Sequence, residues 1–407
     1  MRGKCFSFQR RELLFVLDVP CPSPGSDWRR VSGFANSFLE EGWKCRVLST
    51  FSPSRGHIGS MKVLKMGKLT VYNVVPSIRI NNSLLLLNNL IAFLPCLAIL
   101  LLVKPDAVIV SIPSANQLLA LFILCKLLGI KLVIDYRDEF EEYQLSYKIG
   151  WMFWNRLLRN FLLAIYRHSD LTITVTSAVA EGLKLRGIRN VRVVHDGVDT
   201  HTFRPMCRSE ARRILRIQED CFVIIYLGYV YYAYRLDTVL EALILLARKT
   251  KENKYLLLIL GGGDVQRIRR YSHSLGVENA VRYIGPIKDA TSVARILSAA
   301  DVGIIPYDDN PLLKKTLSAK LFEYCACGLP VIATVPDGSI LEKYIRKYSL
   351  GIAVPSLNSQ ALSRAIEHIE SRLRAGDALR LNVVSFARTY DKKKIAKRLL
   401  SYIQGLK

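Results

Sequence analysis

The run Lys320-Leu321-Phe322-Glu323-Tyr324-Cys325-Ala326-Cys327-Gly328-Leu329-Pro330-Val331-Ile332-Ala333 contains a helix, a tight stop and a β-branched strand in immediate succession. Lys320 and Glu323 are one turn apart on the predicted helix, which ends at Gly328-Leu329-Pro330. The ammonium can meet the phosphates of a phosphorylated sugar, and the carboxylate can bind ribose hydroxyls. An exposed ion pair on an amphipathic helix is the alternative, and the run alone leaves both interpretations open.

Strand-like and helix-like segments alternate on both sides of this run. The strands predicted in the first half are 13–17, 45–49, 71–75, 107–111, 131–135, 171–176 and 191–195, and those in the second half are 222–227, 255–260, 281–284, 302–306, 331–333 and 351–354. This alternation predicts parallel sheets covered by helices on both faces. Two such sheets in tandem predict an α/β protein of two Rossmann-like domains, with ligands bound in the cleft between them.

Five more motifs accompany the run, in a fixed order. They are Val194-His195-Asp196-Gly197-Val198-Asp199 before Phe203-Arg204-Pro205, Tyr226-Leu227-Gly228 with Leu236-Asp237, Ile259-Leu260-Gly261-Gly262-Gly263-Asp264, Val281-Arg282-Tyr283-Ile284-Gly285, and Ala299-Ala300-Asp301-Val302-Gly303-Ile304-Ile305-Pro306. The set resembles the donor-site motifs of retaining GT-B glycosyltransferases, in particular family 4, where a K-L-F-E-Y-x-A-x-G-x-P-V-I-A pattern recurs. The resemblance spans most of residues 190–370 and is weaker in the N-terminal half.

The resemblance implies domains at 1–204 and 205–390, with the last helix, 391–407, packing back on the first domain. It places the ribose on Glu323, the diphosphate on Lys320 and backbone N–H groups, and the base near Ile284 and Ile287. The residues expected to bind the donor are Gly25, Gly228, Arg235, Gly262, Ile284, Ile287, Thr316, Leu317, Ser318, Ala319, Lys320 and Glu323.

The first domain is expected to bind the acceptor. Gly25, in a small-residue loop after the first strand, would let the backbone approach the donor, although turns often contain such a residue. Asp135-Tyr136-Arg137-Asp138-Glu139 resembles the D-x-R-D segment of lipid-linked-sugar transferases. Asp138 is thus a candidate catalytic residue with Glu323 and Lys320, and pairing of Arg137 with an acid is the structural alternative.

Three positions depart from the family pattern. Lys315 stands where the first acid is usual, so contacts to the transferred sugar are expected from the backbone of 316–319. Tyr229 and Tyr234 stand at the usual phosphate-loop Arg and Lys sites, which leaves Arg235 as a displaced substitute. Asp196 replaces the Asn of the domain crossing. Cations and helix N-termini can stabilise a leaving diphosphate, so no metal is expected.

Charge and apolar stretches point to a membrane partner. The formal net charge is +24, and no zinc-finger, RNP or helix-turn-helix motif predicts nucleic-acid binding. The apolar stretch 84–103 has the length of a membrane span, but Asn88, Asn89 and Pro95 interrupt it, which favours a monotopic or core helix. Residues 147–168 mix aromatic and basic side chains, as either an interfacial helix or a sheet-covering helix would. The nine cysteines lack a metal-ligand spacing and indicate a reducing compartment.

The resemblance implies a metal-independent retaining hexosyltransferase that moves a sugar from a UDP- or GDP-sugar, and together with the charge and the apolar stretches it predicts a lipid-linked or surface-glycan acceptor. It would be cytoplasmic and peripheral or monotopic at the inner face of the cell membrane, where the surface is anionic. Two alternatives remain open. One is a non-catalytic glycan- or membrane-binding module on a degenerate GT-B fold, and the other is a GT-B nucleotide-sugar epimerase.

Overall fold

The parallel sheet predicted for each half of the chain is present in the computed structural model. The structure describes residues 10–23, 26–51, 61–77, 85–112, 116–137, 139, 152–249 and 254–406. The chain divides into two units between Asp196 and Gly197, and the residues from Lys392 onward belong to the first unit.

This division lies eight residues before the predicted boundary at 204–205. The reason is that the segment after Gly197 pairs with the end of the second unit. The backbone N–H of Val198 donates to the carbonyl of Tyr390 (3.1 Å), and the Thr200 hydroxyl donates to the carboxylate of Asp391 (2.5 Å).

The first unit is built on an eight-stranded sheet in the order β3-β4-β2-β1-β5-β6-β7-β8. Its strands are β1 (Glu12–Leu17), β2 (Lys44–Phe51), β3 (Lys62–Met66), β4 (Leu69–Pro76), β5 (Ala107–Ile112), β6 (Lys131–Tyr136), β7 (Leu171–Thr174) and β8 (Val191–Val193). Among the residues described before the division, its helices are α1 (Ser26–Glu40), α2 (Leu85–Val103), α3 (Leu118–Leu128), α4 (Met152–Arg167) and α5 (Ser177–Leu185). All neighbouring strands are parallel except β3 and β4.

Strand β3 was not predicted. It forms an antiparallel pair with β4 at the edge of the sheet, and four of its five residues are exposed. Lysines at positions 62 and 65 are typical of edge strands, where charge prevents pairing with other chains. A strand of this kind lacks the buried apolar run by which the other strands were recognised.

The second unit contains a six-stranded parallel sheet in the order β11-β10-β9-β12-β13-β14. Its strands are β9 (Phe222–Leu227), β10 (Tyr255–Leu260), β11 (Val281–Tyr283), β12 (Val302–Pro306), β13 (Val331–Val335) and β14 (Gly351–Pro355). Its helices are α6 (Arg208–Leu215), α7 (Leu236–Ala247), α8 (Val265–Ser274), α9 (Ala290–Ser298), α10 (Ala319–Ala326), α11 (Ile340–Lys347), α12 (Ser359–Arg374) and α13 (Leu379–Thr389). The strand order reverses between β9 and β12, so ligands are expected at the carboxyl ends of these two strands.

The C-terminal helix α14 (Lys392–Gln404) packs on α1 in the first unit. Lys393 pairs with Glu40 (2.8 Å) and Lys397 pairs with Glu41 (2.9 Å). Its apolar side, which includes Leu399 and Ile403, is buried.

Helix α2 is apolar on all sides, with one side buried and the other exposed. Ala92, Cys96 and Leu100 are buried in the core of the first unit. The two asparagines that interrupt the apolar stretch are also buried, and their hydrogen bonds connect α2 to neighbouring segments. The side-chain oxygen of Asn89 accepts hydrogen bonds from the first N–H groups of α3, and Asn88 donates to Asn116 (3.1 Å).

Among the described residues, one segment, Leu86–Val103 in α2, is long and apolar enough to cross a membrane, with a mean hydropathy of 2.4. Because 39% of this segment is buried within the protein, its length and composition are weak evidence for a span.

Candidate functional site

Two loops after β9 and β10 lie edge to edge at the switch point of the second sheet. The N–H of Val230 donates to the carbonyl of Gly262 (2.7 Å), and the N–H of Asp264 donates to that of Val230 (3.1 Å). A Cβ atom on Gly263 would lie 2.3 Å from the Val230 carbonyl oxygen, and one on Gly261 would lie 1.9 Å from that of Gly228. Since any side chain would collide with backbone here, only glycine permits this approach.

A third loop, which follows β12, holds the other side of the β9 loop. The N–H of Arg235 donates to the carbonyl of Pro306 (2.7 Å), and the N–H of Asp308 donates to that of Ala233 (3.0 Å). The carboxyl ends of β9, β10 and β12 therefore carry three loops, and the β9 loop is hydrogen-bonded to each of the other two.

Helix α10 begins beside these loops and carries Lys320. The Ser318 side chain caps the helix by accepting from the N–H of Lys320 (3.3 Å). No described residue accepts a hydrogen bond from the N–H groups of Leu317, Ser318 or Ala319. A helix start with open N–H groups carries partial positive charge and suits an anionic ligand. Thr316, just before them, instead donates through its hydroxyl to the carbonyl of Leu312 (3.3 Å).

Lys320 extends from α10 across the β9 loop. Its ammonium nitrogen is 3.9 Å from the ring centre of Tyr234 and 5.6 Å from that of Tyr226. A Cβ atom on Gly228 would lie 2.8 Å from the Lys320 Cε atom, so the absence of a side chain at Gly228 leaves room for the lysine.

Tyr324 fixes α10 against the sheet. Its hydroxyl accepts from the N–H of Leu227 (2.8 Å) and donates to the carbonyl of Ile304 (3.3 Å). The side chain is fully buried, and this burial raises the pKa of Tyr324 well above its ordinary value. Glu323, the predicted ribose ligand, precedes it on the helix, is partly exposed and interacts with neighbouring groups.

Arg235 is held by two carboxylates. Its guanidinium donates to Asp237 (2.9 Å) and to Asp308 (3.3 Å). These bonds, with Asp237 the larger cause, raise its pKa above the ordinary value. Two acids compensate its single charge, so the arginine predicted to replace the phosphate-loop cations is committed to the loops themselves.

The residues predicted to contact the base lie just beyond β11. The N–H of Ile284 donates to the carbonyl of Ile259 (2.9 Å), and both Ile284 and Ile287 are partly exposed. Gly262 stands in the neighbouring loop, where an added Cβ would lie 3.8 Å from the Tyr229 ring. The predicted base residues and phosphate residues thus belong to adjacent strand ends of one sheet.

Two predicted residues of the first unit, Gly25 and Asp138, lie outside the described residues. Arg137, the neighbour of Asp138, pairs with Asp27 at the start of α1. Its partner is therefore an acid outside the cluster Asp135-Tyr136-Arg137-Asp138-Glu139.

Sequence reasoning missed the buried Arg30 of α1. It donates two bonds to the carboxylate of Asp135 (3.0 Å each) and one to Asp196 (2.8 Å), and it also reaches the carbonyls of Val194 and His195. Burial alone would lower its pKa, but the two acids outweigh burial and raise it. Nothing in the sequence distinguishes Arg30 from the exposed Arg29 beside it except its position on the apolar side of α1.

Within the described part of the chain, no group of three or more His, Cys, Asp or Glu side chains is arranged to hold a metal ion. The cysteines described there are free, and all but Cys207 are buried.

Comparison with known proteins assigns both halves of the chain. Residues 28–202 match the family described as Glycosyltransferase Family 4, and residues 208–380 match Glycosyl transferases group 1. A D-inositol 3-phosphate glycosyltransferase from Actinosynnema mirum is 27% identical over 248 residues, which is 58% of each chain. One from a Nocardioides species is 28% identical, over 49% of this chain and 46% of its own. The matches thus span about half the length of these curated relatives.

Solved structures show the same fold over nearly the whole chain. Sucrose-phosphate synthase from Thermosynechococcus elongatus has a TM-score of 0.79 at 18% identity, covering 98% of this chain and 99% of its own. HepE from Anabaena, solved with UDP and glucose, has a TM-score of 0.74 at 16% identity, covering 97% and 99%. The two family matches show that the chain belongs to the family 4 glycosyltransferases, and the likeness to the solved structures shows that it has the GT-B fold.

Proposed function

We propose that the protein transfers a sugar from a nucleoside-diphosphate sugar, with UDP or GDP as leaving group, to a lipid-linked or surface-glycan acceptor. The observation that carries this proposal is the pairing of Lys320 with three open N–H groups at the start of α10, at the switch point of the second sheet. HepE has been solved with UDP-glucose, and WaaG, another protein of similar fold, takes part in lipopolysaccharide biosynthesis.

The chemistry requires stabilisation of the departing diphosphate. The bond from the anomeric carbon to the phosphate oxygen breaks, its electron pair stays on that oxygen, and the acceptor oxygen bonds to the carbon as its proton passes to the departing diphosphate. Lys320 and the open N–H groups at the start of α10 would stabilise the growing phosphate charge, so that the proposed reaction needs no metal. Glu323 binds the ribose hydroxyls, and Asp138 orients the acceptor. Retention of configuration follows the family pattern.

The acceptor is proposed to lie at the cytoplasmic face of the membrane, where α2 and α3 dock on anionic lipid. Six leucines of α2 are exposed, namely Leu86, Leu87, Leu90, Leu94, Leu101 and Leu102, together with Ile123, Leu127 and Leu128 of α3. These two helices pack on each other. A cluster of apolar side chains on a chain of net charge +24 suits an anionic lipid surface.

Nucleotide binding tests the donor proposal. At 100 times its dissociation constant, the right nucleoside diphosphate adds about 2.7 kcal/mol to stability, which raises the melting temperature by roughly 5–10 °C. Transfer should fall roughly 10- to 100-fold in Glu323→Ala, since a carboxylate bond to ribose is lost. Glu342→Ala, on α11 in the same unit, is the matched control and should keep full activity.

Two outcomes would support the alternatives. A protein that binds no nucleoside diphosphate, and whose Glu323→Ala variant keeps its function, would be a binding module. A protein that consumes a nucleotide sugar without acceptor and returns an isomer would be an epimerase.

Sedimentation with vesicles tests the membrane proposal separately. Binding to vesicles with anionic lipid should weaken as salt rises, because the Debye length falls. Leu90→Ser with Leu94→Ser should weaken binding at least about tenfold, since two leucines no longer enter the lipid. Leu381→Ser, an exposed leucine of the second unit, is the control. Equal loss in both variants, or binding that ignores salt, would contradict this docking mode.

A further inference from the structure

Among the described residues, the ammonium of Lys320 contacts aromatic rings rather than a carboxylate. None of the ion pairs between described residues includes Lys320. Its nitrogen lies 3.9 Å from the ring centre of Tyr234, within the range of a cation–π contact, while Tyr226 is farther away at 5.6 Å. No carboxylate of the described residues therefore compensates the ammonium, while the rings constrain its position.

Tyr234 is itself rigidly held. Its backbone bridges to that of Tyr307, and its N–H donates to the carbonyl of Tyr231 (3.0 Å). Its ring lies 5.7 Å from the ring of Tyr226 and 5.8 Å from that of Tyr307, both of which are fully buried. A ring held between two buried tyrosines can restrict the rotamers of a lysine, whose side chain otherwise loses about 2 kcal/mol of conformational entropy on ordering.

Arg235, the residue that follows Tyr234, provides no alternative cation. Arg235 is bound by Asp237 and Asp308, so it contributes no net positive charge. The Tyr234 hydroxyl makes no hydrogen bond to any described residue, so the ring rather than the hydroxyl is the group in use.

We propose that Tyr234 is a positioning residue whose ring holds the Lys320 ammonium at the diphosphate of the donor. Position 234 thus acts on the phosphates through the lysine of α10 and supplies no cation of its own. This inference rests on the proposed use of a nucleoside-diphosphate donor, and it adds which residue determines where the cation of that site stands.

Electron withdrawal from the ring gives a test that preserves its shape. Affinities for UDP and UMP are measured by calorimetry for wild type, Tyr234→Phe, Tyr234→Leu, and a protein with 3,4,5-trifluorophenylalanine at position 234. The Tyr234→Phe variant should bind UDP with an affinity within about twofold of wild type. The Tyr234→Leu variant should bind UDP about 3- to 30-fold more weakly than wild type. The UDP affinity of the protein with the fluorinated ring should lie between those of the phenylalanine and leucine variants, because fluorine removes the negative ring face that attracts the ammonium.

UMP separates positioning from a general packing effect. If the ring acts through Lys320 on the second phosphate, UMP affinity should stay within about twofold in all variants, and Lys320→Met should remove most of the preference for UDP. Equal UDP affinity with plain and fluorinated phenylalanine would overturn the inference while leaving the proposed function intact. Equal losses for UDP and UMP would overturn it too. A wild-type protein that binds no nucleoside diphosphate would overturn the proposed function, and the inference with it.

Discussion

Polar groups near the carboxyl ends of the strands are used differently in the two sheets. In the first sheet, Arg30 is bound by Asp135 and Asp196, and the carboxylate of Asp18 accepts from Asn116. In the second unit, the ammonium of Lys320 faces tyrosine rings, and three N–H groups at and just before the start of α10 have no acceptor among the described residues. Groups that satisfy each other build the scaffold, whereas groups left over can bind a ligand.

The same contrast exists within the second unit. Arg212 of α6 is completely buried and donates to Asp301 (2.7 Å) and to the carbonyls of Ala299 and Cys221. Arg235 is bound by Asp237 and Asp308. Compared with these two arginines, Lys320 is therefore distinguished by pairing with no carboxylate of the described residues rather than by its charge.

Breaking the buried pair of the first unit should give the largest effect. Arg30→Leu leaves the Asp135 carboxylate buried without its partner, which should lower the free energy of unfolding of that unit by about 3–5 kcal/mol. All four tryptophans, at positions 28, 43, 151 and 154, belong to the first unit, so tryptophan fluorescence reports its unfolding. The melting temperature should fall by about 10 °C.

Two companion variants show whether the pair is the cause. The exposed Arg29→Leu should change stability by no more than about 1 kcal/mol. Arg30→Leu with Asp135→Leu should recover much of the loss, because neither charge is then left buried. A double variant as unstable as Arg30→Leu would show that the arginine acts through its contacts with Val194 and His195 instead.

Much of this architecture could be predicted because parallel strands are marked by apolar runs. The predicted strands are present, and the fold they predict is confirmed by the comparison with GT-B structures. Strand β3 was missed because an edge strand has few buried residues. The pairing of Arg235 with Asp308 was missed because Asp308 is 73 positions away in sequence. Which cations are compensated is a tertiary property that local sequence does not contain.

The glycine contact that brings the β9 and β10 loops together offers an intermediate test. Gly263 has a φ of +110°, and an added Cβ would lie 2.3 Å from the Val230 carbonyl oxygen. Gly263→Ala should therefore cost about 1 kcal/mol of backbone strain and a further 1–3 kcal/mol, roughly, of collision. Hydrogen exchange of residues 226–264 should rise, and UDP binding should weaken as the loops separate.

Gly276→Ala is the matched control for this variant. Gly276 also has a positive φ, +68°, but nothing lies within 4 Å of an added Cβ. The Gly276→Ala variant should be destabilised only by backbone strain of about 1 kcal/mol, and its affinity for UDP should be that of wild type. Equal effects at the two glycines would mean that backbone conformation, rather than the close approach of the loops, controls the donor site.

The smallest effect concerns His195, beside the Arg30 network of the first unit. Its Nδ1 atom donates to the carbonyl of Val175 (2.7 Å), and burial lowers the pKa of its imidazole below the ordinary 6.5. In the pH range just below 6.5 the unfolded chain therefore binds more protons at this residue than the folded chain does. The free energy of unfolding should fall as pH drops through this range, since protonation favours the unfolded state.

Tryptophan fluorescence in urea between pH 5 and 7 measures this dependence for the first unit. His195→Gln should flatten the slope over that range, whereas His168→Gln, at an exposed histidine of the same unit, should leave it as in wild type. If His195→Gln keeps the wild-type slope, the imidazole is as accessible to protons as in the unfolded chain. The segment that Arg30 holds would then open locally, and the contrast between the paired Arg30 of the first unit and the ligand-accessible Lys320 of the second would fail at that point.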